Sequence, residues 1–194
     1  MINHRLQGSH IILASQSPRR QYLLKELGID FEIRSTQVKE VYPEGLSPEQ
    51  IAVYLAELKA ATFDTSRMDE KAIVITADTI VSLGDEILGK PGNYTEAVQM
   101  LQKLSGRKHD VITAVCLKSR MKSKTFFVCS SVIFKELSLE EIDYYIDNFQ
   151  PFDKAGGYGI QEWIGYIGIN KIEGSFFNVM GLPVKELYEE LLKF

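Results

Sequence analysis

The segment that most restricts the fold is Ala72-Ile-Val-Ile-Thr-Ala-Asp-Thr-Ile-Val-Ser-Leu83, an apolar, β-branched run. It reads as a central strand buried on both faces, which needs a covering layer on each side. Asp78 and Thr79 interrupt it. A carboxylate inside a buried strand is costly unless it is paired or holds a metal. An aspartate that closes a turn is the structural alternative. Apolar strand continues on both sides of Asp78, which favours a functional role. Gly84-Asp85 marks a reversal into Ile87-Leu88, a hairpin. Lys90, in Gly89-Lys-Pro91, stands at the end of that strand, where it can reach phosphate.

A second constraint lies upstream, in Ile11-Ile-Leu-Ala-Ser-Gln-Ser-Pro-Arg-Arg20. This is a short buried strand, a Ser-Gln-Ser turn and the opening of a helix, with Ser17 as N-cap, Pro18 at the first helical position and Gly28 as stop. A helix start welcomes an anion. Arg19 and Arg20 put two cations there, the wrong sign for the dipole, so something negative is expected beside Ser15, Ser17 and the arginines. Surface salt bridges are the plainer role for such a pair.

The remaining elements follow from periodicity and caps. Phe31-Glu-Ile-Arg34 alternates like a half-buried strand, and Ser35 to Glu40 is a polar loop. Ser47-Pro-Glu-Gln50 is a capping box opening a helix to about Thr62, with Ile51, Tyr54, Leu55, Leu58 and Ala61 on one face. Lys59 lies beside that stripe, placed either to reach a ligand or to be solvated, and spacing alone favours solvation. A helix begins at Asn93, with Ala97, Met100, Leu101 and Leu104 inward and Gly106 as its stop. Residues 110–117 and 125–134 read as neighbouring antiparallel strands. His109, just before the first of them, reads as a hydrogen-bonded structural residue. Leu137 to about Asn148 is a helix whose Tyr144, Tyr145 and Phe149 suit core or a dimer surface. Phe152 to Gln161 is a glycine-rich loop carrying Asp153, Lys154 and Gln161. Residues 163–172 look like strands bending at glycines, and Pro183 begins a final helix. No repeat or low-complexity tract breaks the chain, so residues 1–194 are expected to form a single domain.

Bulk composition excludes several classes. A length of 194 residues, 45% hydrophobic and 25% charged, supports one domain with a full core. A net charge of −4 disfavours a general nucleic-acid surface. No apolar run approaches the ~18 residues of a membrane span, and Met1 to Leu6 lacks the apolar core of a signal peptide. Cys116 and Cys129 fall in separate strand-like runs, so they are expected as buried free thiols in a reducing cytoplasm.

Strand ends bearing polar or cationic groups recur in this chain, and strand ends are where α/β sheets gather ligands. Arg19, Arg20 and Lys90, with Lys59 and Lys154, offset the charge of a triphosphate. Successive helical residues point about 100° apart, so Arg20 is expected to grip phosphate while Arg19 faces the base or sugar. Glu40 and Asp78 are the natural oxygen ligands for Mg²⁺ or Mn²⁺, and Asp78 is also placed to accept a proton from attacking water. There is no P-loop and no His/Cys zinc constellation. Residue chemistry alone reaches a polyphosphate binder with a metal.

Ser15-Gln-Ser-Pro-Arg-Arg20, Ala77-Asp-Thr-Ile-Val81, Gly89-Lys-Pro91, Leu104-Ser-Gly106 with His109 and Thr113, Asp153-Lys-Ala-Gly156, Tyr158-Gly-Ile-Gln161 and Asn178-Val-Met-Gly-Leu-Pro183 together resemble, in order, the motif blocks of the Maf family. The resemblance covers nearly the whole chain. It implies an α/β fold of Maf/ITPase-like form: an elongated twisted mixed sheet flanked by helices, two lobes around a cleft, commonly dimeric. It implies water-driven cleavage between the α and β phosphates of a nucleoside triphosphate, with Asp78 matching the proton acceptor; Arg20, Lys90 and Glu40 are the further catalytic candidates that residue chemistry offers. Arg19, Thr79 and Gln161 match the positions that separate subfamilies by base, and they are of the dTTP/UTP type. Ser15, Ser17, Lys59, Asp153 and Lys154 complete the expected substrate contacts. A non-catalytic, nucleotide-sensing regulator of septum formation is the alternative, disfavoured because binding alone needs cations more than carboxylates.

Overall fold

The computed structural model describes residues 6, 8–35 and 37–194. Met1 to Arg5, where no signal sequence is expected, Gln7, and Thr36 of the expected polar loop lie outside the described residues. The strands are β1 (His10–Leu13), β2 (Glu32–Ile33), β3 (Ala72–Leu83), β4 (Glu86–Leu88), β5 (Lys108–Lys118), β6 (Ser123–Phe134) and β7 (Ile169–Glu173). The helices are α1 (Pro18–Glu26), α2 (Pro48–Ala61), α3 (Tyr94–Leu104), α4 (Leu139–Phe149), α5 (Trp163–Gly168), α6 (Phe176–Met180) and α7 (Val184–Lys193). The sheet runs β2-β1-β3-β5-β6-β7, with β4 paired to β3. Pairing is parallel between β1 and both β2 and β3, and antiparallel between β3 and β4 and between β6 and β7, so the sheet is mixed.

The chain divides into two compact units. The first contains the residues up to Asp78, Thr113–Val128 and Gly181–Phe194. Here β1 leads through α1 to β2 on one side, and β2 leads through α2 to β3 on the other. The carboxyl end of β1 is therefore a point where strand order switches, which is where open α/β sheets hold ligands. The two-sided burial expected for β3 is present: Val74, Ile75 and Thr76 are 0% exposed. Helix α2 opens with the capping box, Ser47 Oγ accepting from Gln50 N and Gln50 Oε1 from Ser47 N. At the start of α1 the expected cap differs in detail. Ser17 holds the N-cap position with extended backbone, but its hydroxyl makes no capping bond. Ser15 Oγ instead accepts from Ser17 N at 3.2 Å.

The second unit comprises Thr79–Ile112 and Cys129–Met180. Its core gathers Val81 and Leu88 of the expected hairpin, Leu101 and Leu104 of α3, and Ile142, Tyr145 and Ile146 of α4. Asn93 caps α3 by accepting from Glu96 N at 3.0 Å.

Several expectations fail; on α2, Tyr54 and Ala61, read on the apolar face, are exposed. Residues 163–168 form a helix rather than a strand, and only Ile169–Glu173 pairs in the sheet. Ile164, Ile167 and Ile169 favour a strand by propensity rather than by period. Gly165 N, however, donates to Glu162 O at 2.8 Å, and a Cβ on Gly165 would lie 1.8 Å from Ile160 O. That glycine serves a tight helical approach, with Ile164 and Gly168, one turn apart, buried. Residues 176–180, given no element from sequence, form α6. Cys116 is buried as expected but Cys129 is exposed. It sits where β6 alternates, with Ser130, Val132 and Phe134 inward, and the four apolar residues Phe126–Cys129 hide that alternation.

Candidate active site

The first unit contains Ser15, Ser17, Arg20, Glu40, Lys59 and Asp78, and of these Arg20, Glu40, Lys59 and Asp78 interact with one another. Asp78 is 6% exposed near the middle of β3. Thr76 and Asp78, two residues apart on the strand, share a face. Ala56 and Lys59 lie close together on α2, and each meets one of them. Thr76 Oγ1 donates to Ala56 O at 2.7 Å, and Lys59 Nζ ion-pairs with Asp78 Oδ1. The same ammonium lies 2.7 Å from Glu40 Oε1. Lys59 is therefore not solvated, as spacing alone suggested; its side chain is 18% exposed, held between two carboxylates.

Burial pushes the Asp78 carboxyl above the ordinary aspartate range. Lys59 and Arg20 pull it back, and Glu40 adds to the rise. Arg20 reaches the same strand from α1. Its Nη1 donates to Ala77 O at 2.7 Å and its Nε to Gly181 O at 2.8 Å. Desolvation lowers its proton affinity and Asp78 opposes that, yet a guanidinium stays charged at neutral pH. Arg20 ties the start of α1 to the residue preceding Asp78, and Arg19, half-buried, stands beside it in the same turn.

Among the described residues no group of three or more His, Cys, Asp or Glu gathers as a closed metal cage. Two carboxylates converging on one ammonium do form a cation position. Mg²⁺ takes one or two protein carboxylates and completes its shell with phosphate oxygens and waters, so Glu40 and Asp78 fit such an ion.

The other expected residues belong to the second unit. Thr79 is half-buried on β3, and Lys90 is exposed after β4. Gly156 N donates to Gly89 O at 3.0 Å, which ties the glycine-rich loop to the segment bearing Lys90. Gly156 has φ +72°, and a Cβ there would lie 3.0 Å from Val81 Cγ1, so the loop passes against the strand only as glycine. Asp153 is exposed, whereas Lys154 is turned inward at 8% exposure. Lys154 Nζ pairs with Asp153 Oδ1 at 2.7 Å and Glu162 Oε1 at 3.1 Å. Sequence reading missed this network. Glu162 also accepts from Tyr145 OH, and Tyr145 OH accepts from Gly159 N at 2.9 Å. Nothing in the spacing of Tyr145 and Glu162 signals that pairing. Gln161 lines a depression of about 370 Å³ with Ile160, Tyr166 and Phe176, and its Oε1 is buried with no hydrogen-bond partner among the described residues. His109 lies 1% exposed with Nε2 2.7 Å from Tyr158 OH, in an aromatic cluster with Phe134.

A family model described as Maf-like protein matches residues 10–194. A dTTP/UTP pyrophosphatase of Porphyromonas gingivalis is 52% identical over 95% of this chain and 94% of its own length. A dTTP/UTP pyrophosphatase of Phocaeicola vulgatus is 53% identical over 97% of each chain, and one of Flavobacterium psychrophilum is 48% identical over 99% of this chain and 98% of its own. Among solved structures, a HAM1 protein from Coxiella burnetii superposes with a TM-score of 0.52 at 13% identity, covering 96% of this chain and 100% of that one. That likeness concerns the fold.

Proposed function

This chain belongs to the Maf family, and from that premise we propose that it hydrolyses nucleoside triphosphates, dTTP and UTP foremost, to nucleoside monophosphate and pyrophosphate. The observation that carries the proposal is Asp78: a carboxylate 6% exposed, with proton affinity raised by burial, held by Lys59 beside Glu40. Such a group is expensive to keep unless its chemistry is used.

In the proposed reaction water attacks the α-phosphorus, the bond from that phosphorus to the α–β bridging oxygen breaks, and pyrophosphate leaves with the bond electrons. Asp78 takes the proton of the attacking water. Arg20, anchored on Ala77 O and Gly181 O, presents a fixed positive charge to the phosphates, and Lys90, exposed after β4, adds a second. Glu40 and Asp78 would hold a divalent cation, Mg²⁺ or Mn²⁺, which when bound neutralises phosphate charge. Ser15 and Ser17 receive the phosphate chain at the start of α1, Lys59 shares charge between carboxylates and substrate, and Asp153 with Lys154 steadies the glycine-rich segment.

Base choice is assigned to Arg19, Thr79 and Gln161. The buried Oε1 of Gln161 has no donor among the described residues. The imide N–H of uracil or thymine supplies one, while the Gln161 amide N–H₂ donates to a ring carbonyl.

The buried free thiol of Cys116 accords with a cytoplasmic setting, and no helix of the described residues is long and apolar enough to cross a membrane. A homodimeric assembly rests on family resemblance alone. A panel of nucleoside triphosphates incubated with and without Mg²⁺ or Mn²⁺ tests the proposal. Monophosphate and pyrophosphate are the expected products, and diphosphate with inorganic phosphate would refute it.

A further inference from the structure

Lys59 meets Asp78 only while α2 keeps its position along β3, and two side chains outside the charged cluster hold it there. Thr76, fully buried two residues before Asp78, donates its hydroxyl to Ala56 O at 2.7 Å. At the other end of the same helical stretch, Lys118 at the end of β5 sends Nζ to Ala60 O at 3.1 Å and Phe63 O at 2.9 Å. The last carbonyls of a helix lack intrahelical donors, and a cation there complements the dipole. Thr62 Oγ1 already caps Lys59 O locally at 2.7 Å. That bond shapes the turn without tying it to the sheet, whereas Lys118 reaches in from a different strand. Together the two contacts bracket Lys59.

We propose that Lys118, with Thr76, is a positioning residue that pins the last turn of α2 against the sheet so that Lys59 Nζ stays between Asp78 and Glu40. The proposal rests on taking that cluster as the reacting centre. Small misplacements of a reacting group cost rate far more than binding.

The test is Lys118→Met, Lys118→Arg and the near-isosteric Thr76→Val, each assayed for pyrophosphate release and for amide hydrogen exchange. Lys118→Met is expected to lower kcat about tenfold with KM within about twofold. Lys118→Arg, whose guanidinium can still donate to both carbonyls, is expected to recover most of the loss. Thr76→Val is expected to lower kcat about threefold, and it keeps the test decisive should Lys118→Met fold poorly. The amides of Thr62 and Phe63, bonded to Lys59 O and Ala60 O, are expected to exchange about tenfold faster in Lys118→Met. A lowered melting temperature with kcat and exchange at wild-type values would make Lys118 a stabilising cap only and overturn the proposal. Faster exchange with unchanged kcat in an active enzyme would overturn it too. Wild-type protein that releases no pyrophosphate would defeat the proposed function, and the exchange of Thr62 and Phe63 would then judge the brace alone.

Discussion

Asp78 was legible from sequence because a carboxylate inside an otherwise apolar strand has few inexpensive explanations. Lys59 was not, because helical periodicity reports which face is apolar and says little about a residue at its margin. A four-carbon stem spans from that margin to the sheet. Gln161 offers a residue-scale test of base recognition. Gln161→Glu replaces the amide donor with an acceptor, so preference for uracil over cytosine nucleotides is expected to fall by about 1–3 kcal/mol in relative kcat/KM. Unchanged relative rates across the panel would remove Gln161 from base recognition. His109 gives a stability test. Burial lowers its pKa to about 4, with Asp110 opposing, whereas the unfolded chain titrates near the ordinary value of ~6.5. A depressed histidine pKa means the unfolded state binds more protons between those values. Stability is therefore full above about pH 6.5 and falls toward pH 4, by on the order of 3 kcal/mol. In urea titrations His109→Phe is expected to flatten that decline, and a wild-type slope in the variant would contradict the assignment.

At the scale of elements, caps and long periodic runs carried the most information. The Ser47–Gln50 box and the Asn93 cap appear where residue type and spacing put them, because each satisfies main-chain groups locally. Ser47→Ala is accordingly expected to cost about 1 kcal/mol of unfolding free energy; no change in the denaturation midpoint would mean that α2 starts without the box. Short elements were decided by contacts that local pattern does not contain. Helix α5 turns on Gly165, which approaches Ile160 O more closely than any side chain permits. Gly165→Ala is expected to destabilise by about 1–3 kcal/mol or more, read by chemical denaturation, and a neutral result would mean the turn is loose. Cys129 illustrates the same limit, since an apolar run on a strand does not reveal which face a sheet leaves open.

For the whole molecule, the mixed sheet with flanking helices follows from one two-sided strand, its parallel neighbour β1 and β2 beyond it. The division into two compact units was not foreseeable from composition, because β3, β5 and β6 each give one end to each unit without a linker. Function was legible to the level of a polyphosphate ligand with a metal. The reaction and base class came with family membership, and the Asp78–Lys59–Glu40 geometry accords with the reaction alone. The most direct test is time-resolved pyrophosphate release from dTTP and UTP with Mg²⁺ by the wild-type protein and by folded Asp78→Asn. Pyrophosphate and monophosphate in equal amounts are expected from the wild type, with the rate falling by about 10²-fold or more in the variant. Wild-type turnover by Asp78→Asn would contradict the assignment of Asp78 as the proton acceptor.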